Sequence, residues 1–300
     1  MKFVLLFSCV TLCSVSTNSL RRQARVFGGD DVLIGQYPYV VFIVIGRTSV
    51  MYCTGSIISK SWVLTAAHCV ESQLVPTHKI RIYAGIVNYY AQPLPKSAQI
   101  LYAKNAITHP AYTTFNATNY TDIGSFNDLG LIQTMEPFIL NKFVNIVSIK
   151  SVLPHFEQVN MCKAMGFGRT EEGGTKKLKS ISLTSLFRCT EVADDELNTL
   201  FQSQDYLCSS AGVGRYVYNG DSGSPMVCNG ILVAVCFWVK YVSEKLDRVM
   251  LHIGSANFVD WITYYVPDVT VCANKGCEKR TILDGQSRQN VFRFVKSLSQ

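Results

Sequence analysis

A chain of 300 residues, 48% hydrophobic and 16% charged, has ample apolar material for a buried core, which excludes disorder as its dominant state. The formal charge of +7 is unevenly spread: residues 1–25 carry four basic side chains and no acidic one, 26–266 carry eighteen of each sign, and 267–300 carry six basic against three acidic. A neutral body with its excess charge at the two ends gives no argument for nucleic acid as a partner.

The chain opens with Met1-Lys2, an apolar run over 3–15 and then small and polar residues to Ser19. That order reads as a secretory signal peptide over 1–16, too short to span a bilayer. A retained signal anchor is the rival reading, but polar residues over 16–23 follow directly and no second apolar run reaches membrane length. Secretion without a membrane partner is therefore expected. Cys9 and Cys13 would leave with the signal, and nine of the eleven cysteines would remain in an oxidising compartment, an odd number that leaves one without a partner.

Residues 17–25 are polar and basic and end at Arg25, before Val26-Phe27-Gly28-Gly29. From there short apolar runs alternate with Gly, Pro, Asn and Ser: 39–45, 55–58, 62–66, 79–84, 129–132 and 231–238. Short strands at regular spacing with turn signals predict an all-β barrel or sandwich. Helical periodicity is convincing only over 193–200, which opens on an acidic cluster, and over 257–266. No repeat and no boundary divides 26–266, so this is read as one domain, with 267–300 as a tail. The polar stretch 111–127 lacks alternation and reads as a long loop. It holds two glycosylation acceptors, Asn116-Ala-Thr and Asn119-Tyr-Thr.

Three motifs carry chemistry. Leu64-Thr-Ala-Ala-His68-Cys69 sets a histidine at the end of an apolar strand, with Cys53 sixteen residues earlier. Asn127-Asp128-Leu-Gly-Leu-Ile sets a carboxylate at the mouth of a buried run, where it needs a hydrogen-bond donor such as an imidazole N–H. Asp122 competes for this role, but the apolar continuation after Asp128 favours Asp128. Asn219-Gly220-Asp221-Ser222-Gly-Ser-Pro is the strongest of the three, because tight turning on both sides of Ser222 lets its hydroxyl and the N–H groups of Gly220 and Ser222 face one point. Acyl transfer from an amide needs such a set: nucleophile, base, orienting group and oxyanion donors, with no cofactor or metal.

With these residues in the order His, Asp, Ser, the chain resembles the chymotrypsin-like serine proteases from Val26 to about Val266. The resemblance implies two packed six-stranded antiparallel β-barrels with a C-terminal helix. It makes His68 the general base and then acid, Asp128 the group fixing its tautomer, and Ser222 the nucleophile, by the general template for this triad. It also implies activation by a cut after Arg25, the freed Val26 amine pairing with Asp221. Partners would be protein or peptide substrates, an activating protease and protein protease inhibitors. The disulfides it implies are Cys53–Cys69, Cys162–Cys228 and Cys189–Cys208. Cys272 and Cys277 lie beyond the matched region and could close a loop together, which leaves Cys236 as a buried thiol or, as a minority reading, a link to the tail or another chain.

Departures from the family pattern gather at the specificity pocket. Tyr216 stands at the floor position that is Asp in trypsin-like members, Val239 and Arg248 replace wall glycines, Phe237 precedes Trp238 in place of Ser, and Tyr218 replaces a cysteine of a bracing disulfide. A non-tryptic pocket, more mobile or differently braced, is expected. Ser224 in place of a glycine predicts local backbone strain, and Ile86 in place of a calcium-binding Glu argues against a calcium requirement. The intact motifs favour an atypical secreted endopeptidase, and the altered pocket leaves open a protease-like binding protein with an occluded pocket.

Overall fold

The structure is a computed structural model that describes residues 28–46, 51–71, 76–116, 123–152, 159, 161–169, 177–189, 206–243, 247–274 and 276–279. The signal peptide, Arg25, Val26, Asn119, Asp122 and the helix expected over 193–200 lie outside these residues.

After the short β1 (Asp30–Asp31), the first half contains β2 (Val40–Ile45), β3 (Met51–Ser59), β4 (Trp62–Thr65), β5 (Ile80–Ala84), β6 (Gln99–Thr108), β7 (Thr113–Asn116), β8 (Ile123–Phe126) and β9 (Gly130–Thr134). Six of these close a barrel in the order β2-β3-β4-β9-β6-β5. Closure follows from composition: β2 is Val-Val-Phe-Ile-Val-Ile, buried along its whole length, and such a strand must be covered on both faces. Val41, Ile43, Ile57, Val63, Ile82 and Ile132 fill the barrel interior, each burial contributing roughly 1.5–3 kcal/mol.

The second half contains β10 (Ile149–Lys150), β11 (Cys162–Gly166), β12 (Lys179–Ser182), β13 (Ser185–Arg188), β14 (Tyr206–Ser210), β15 (Pro225–Cys228), β16 (Ile231–Ser243), β17 (Asp247–Gly254), β18 (Thr270–Ala273) and β19 (Gly276–Lys279). With β1 they form one eleven-stranded sheet that curls into a half-barrel. Among the described residues one α-helix, α1 (Val259–Tyr265), follows a 3-10 turn over Ser255–Phe258, where the sequence predicts a C-terminal helix. Every apolar run singled out in the sequence lies on a strand, so the expected all-β architecture holds. Among the described residues only the first half is a closed ring.

The stretch 111–127 is not a plain loop: β7 and β8 pair as an antiparallel ribbon, Thr113 opposite Phe126. Thr113 and Thr114 are exposed and polar, so the first strand of this ribbon offers no apolar alternation to read. Asn116 ends β7. The three disulfides implied by resemblance form, as does Cys272–Cys277 across the β18–β19 hairpin. Cys236 is buried and free. Strand β18 adds in parallel to β10, so the sheet extends beyond α1 to Lys279.

Candidate active site

His68 comes from the closed barrel, on a 3-10 turn over Ala67–Cys69 that ends β4 and is tied back to β3 by Cys53–Cys69. Asp128 lies between β8 and β9. The preceding Asn127 adopts φ 49°, a left-handed conformation that asparagine tolerates, and its side-chain amide donates to the Ala111 carbonyl at 2.9 Å. That turn delivers Asp128 to the barrel mouth, where it is 1% exposed. A carboxylate so placed needs its acceptor sites filled. His68 N–H donates to Oδ1 at 2.9 Å, and His68 Nδ1 and the Ser125 hydroxyl each meet Oδ2 at 2.7 Å.

The electrostatics follow from this geometry. Burial alone would raise the Asp128 pKa, but the His68 charge and hydrogen bonds from His68 and Ser125 outweigh it and hold the carboxyl below its ordinary value. Burial alone would lower the His68 pKa, and the Asp128 charge and hydrogen bond reverse this and raise it. With Nδ1 engaged by Asp128, Nε2 is the nitrogen left for proton exchange.

Ser222 comes from the second half, on the turn entering β15. Its segment is fixed by backbone bonds: Asp221 N–H to Tyr218 O and Ser224 N–H to Asp221 O, both 2.8 Å, and Gly223 N–H to Cys236 O, also 2.8 Å. Gly223 has φ +82°, and a Cβ there would stand 2.1 Å from Thr65 Oγ1, so glycine is required on both counts. Gly220 likewise has φ +99°. Among the described residues neither Gly220 N–H nor Ser222 N–H donates to another group, in keeping with a pair of oxyanion donors. Ser224 is not in the left-handed region, so the strain expected from its replacing glycine is not present.

The Asp221 carboxylate is 1% exposed and accepts from Gly168 N–H at 2.6 Å and Tyr218 N–H at 2.9 Å. It nests against Gly166 and Gly168, where any Cβ would fall within 2.2 Å of its oxygens. A buried anion of this kind is suited to a cationic partner such as a chain amine.

His68, Ser222 and Gly220 border one cavity of about 360 Å³. A second, of about 350 Å³, lies against Ser222, with Val217, Phe237, Trp238 and Val239 in its wall. The family model described as Trypsin matches residues 26–262.

The chain belongs to the chymotrypsin-like serine protease family.

Trypsin-1 of Gadus morhua is 29% identical over 229 residues, covering 73% of this chain and 86% of that protein. Anionic trypsin of Canis lupus familiaris is 27% identical, covering 78% and 89%. Complement C1s-1 subcomponent of Mus musculus is 28% identical over 85% of this chain, which spans only 37% of that longer protein.

Within this family frame the pocket residues divide. Val239 lines the second cavity. Tyr216 and Arg248 do not line it: Tyr216 is buried in the cluster that includes Val217 and Cys236, and Arg248 lies over its ring at 4.3 Å. Tyr216 in turn meets Tyr218 edge to face at 6.1 Å. This cation–aromatic–aromatic stack includes Tyr218, which the resemblance sets in place of a cysteine. No motif marks Ser125 as a partner of Asp128, nor Thr54, whose hydroxyl donates to the Gly220 carbonyl at 3.0 Å. Among the described residues the one group of metal-capable side chains is Cys53, His68 and Cys69, and its sulfurs are already joined as a disulfide.

Proposed function

We propose that this chain is a secreted serine endopeptidase of non-tryptic preference, with His68, Asp128 and Ser222 as its catalytic triad. The observation that carries the reading is the buried Asp128 holding His68 Nδ1 at 2.7 Å while His68 and Ser222 border the same cavity. Ser222 Oγ attacks the scissile carbonyl carbon as His68 Nε2 takes its proton. Asp128 stabilises the imidazolium, and the N–H groups of Gly220 and Ser222 hold the oxyanion. His68 then gives the proton to the leaving amine, and water resolves the acyl ester by the same route in reverse.

The specificity cavity supports a small or apolar side chain before the scissile bond. Among its described residues the one carboxylate, Asp221, is engaged by two backbone amides, Val239 stands in the wall, and the Arg248 charge rests on the Tyr216 ring, so a lysine or arginine side chain would find no counter-ion. Activation proceeds by a cut after Arg25, with the Val26 amine entering beside Asp221. Its four disulfides fit an oxidising compartment, and secretion with glycans at Asn116 and Asn119 completes the reading.

The test is labelling of the trypsin-treated protein by a phosphonylating serine probe, with Ser222→Ala as control, followed by a peptide library. Labelling and turnover in wild type and neither in the variant are expected. Peptide hydrolysis unchanged by Ser222→Ala would refute the assignment.

A further inference from the structure

The two cavities beside Ser222 differ in one decisive residue. Both include Ser222 and Asn219, but only the 360 Å³ cavity includes His68. A histidine that protonates the departing amine must lie on that amine's side of the scissile bond. The His68 cavity is therefore the leaving-group side and the Trp238–Val239 cavity the acyl side, an assignment that rests on the triad proposed above.

Among the described residues the leaving-group cavity carries one permanent charge: its wall includes Arg169, Met51 and Tyr52, and no described aspartate or glutamate. Arg169 is exposed, and among the described residues no carboxylate pairs with it. Its backbone is fixed: Arg169 N–H donates to the carbonyl of Asn219 at 2.7 Å, the residue before Gly220, and Gly168 N–H donates to Asp221. The stem of the guanidinium is thus fastened to the same turn that carries the oxyanion donors and the nucleophile. Tyr52 stacks on Phe42 with ring centroids 5.4 Å apart and 17° between planes, giving the cavity a rigid apolar ledge.

We propose that Arg169 selects a carboxylate on the leaving-group side of the substrate. A guanidinium is a planar fork that matches a carboxylate in two-point contact, and here it borders a cavity whose described residues include no anion to neutralise it. The carboxylate has two possible sources, an aspartate or glutamate side chain beyond the scissile bond or the free C-terminus of a short leaving peptide.

Acyl transfer reads this side alone. An activated ester, p-nitrophenyl acetate, acylates Ser222 with release of nitrophenolate. An added amine then attacks the acyl carbon, the ester C–O bond breaks as the amide C–N bond forms, and a proton returns through His68 to Ser222 Oγ. The trypsin-treated full chain is given four amines: Leu-Asp-amide, Leu-Asn-amide, Leu-Ala with a free carboxylate, and Leu-Ala-amide. The ratio of amide to acetate product is measured, a ratio internal to each reaction.

An acidic amine should win over its neutral counterpart by about five-fold, a preference that Arg169→Gln abolishes and Arg169→Lys keeps in part. Preference confined to the aspartate pair assigns the side chain as the source, and preference confined to the Leu-Ala pair assigns the C-terminus. Equal partition of all four amines by an enzyme that acylates overturns the role of Arg169 and leaves the triad standing. A protein that gives no more nitrophenolate than its Ser222→Ala variant loses both readings.

Discussion

His252 offers a perturbation whose size can be worked from the structure. It sits on β17 with no solvent exposure, its Nε2 2.7 Å from the hydroxyl of the equally buried Ser209, and its Nδ1 has no partner among the described residues. Burial pushes its pKa down to about 3, whereas an unfolded chain would hold it near its ordinary 6.5. Below pH 6.5 the unfolded state therefore binds a proton that the folded state refuses. Stability falls as pH falls through the window from about 6.5 to 3, at up to about 1.4 kcal/mol per pH unit, or about 2 kcal/mol by pH 5. The assay is urea unfolding from pH 8 to pH 5 of two proteins in a Ser222→Ala background, which prevents autolysis: one with His252 and one with His252→Gln. Glutamine keeps a hydrogen-bonding amide for Ser209 but does not titrate. The histidine protein should lose about 2 kcal/mol more than the glutamine protein over that range. Parallel curves, separated by a constant offset, would refute the reasoning.

Asp128→Asn should lower kcat by about four powers of ten through loss of the correct His68 tautomer, and the acid limb of kcat/KM should move to lower pH, because Asp128 raises the His68 pKa. An unmoved limb in a pH–rate series would remove Asp128 from its role. Arg25→Gln should leave a precursor that trypsin does not cut before Val26 and that stays inactive, as N-terminal sequencing and ester hydrolysis would show. Full activity of that precursor would contradict the activation scheme. Arg248→Gly removes the cation from the Tyr216 ring and should relax rejection of large side chains before the scissile bond. Identical peptide profiles for both proteins would mean that the stack does not set the pocket depth, and efficient cleavage after lysine or arginine by wild type would overturn the non-tryptic reading.

The sequence was legible where one residue type had to satisfy a local rule. The apolar runs over 39–45, 62–66 and 79–84 became barrel strands because their burial is nearly complete, and Gly220 and Gly223 show φ values that other residues rarely adopt. Strand β6 escaped notice because Ile100 and Tyr102 are exposed beside the buried Leu101 and Ala103, so apolar residues occupy both faces and hide the alternation. The stacking of Arg248 on Tyr216 was out of reach for another reason. Their positions relative to the glycine-walled pocket of the family suggested steric filling, but the direction of a long side chain is set by its partners, and the aromatic ring that receives this one is thirty-two residues away.

Among the contacts that join the two halves, those nearest the nucleophile come from a residue that no motif marks. His68 and Asp128 belong to the closed barrel and Ser222 to the curled sheet, so the triad needs the halves held in register to a fraction of an ångström. Thr54, fully buried on β3, contributes to that register beside the nucleophile. Its N–H donates to the Ser222 carbonyl at 2.9 Å, its hydroxyl donates to the Gly220 carbonyl at 3.0 Å and accepts from Phe167 N–H at 3.2 Å, and its own carbonyl accepts the Thr65 hydroxyl at 2.8 Å. The first two contacts reach the turn bearing the oxyanion donors, the third reaches the strand end beneath Asp221, and the fourth returns to β4, which leads to His68. Each bond contributes about 1 kcal/mol to stability at most, and their value to the site lies in direction. The Gly220 carbonyl drawn toward Thr54 fixes the peptide plane it shares with Asp221 N–H, and the Asn219 carbonyl held by Arg169 N–H fixes the plane that carries Gly220 N–H, so the turn bordering the His68 cavity has a defined orientation.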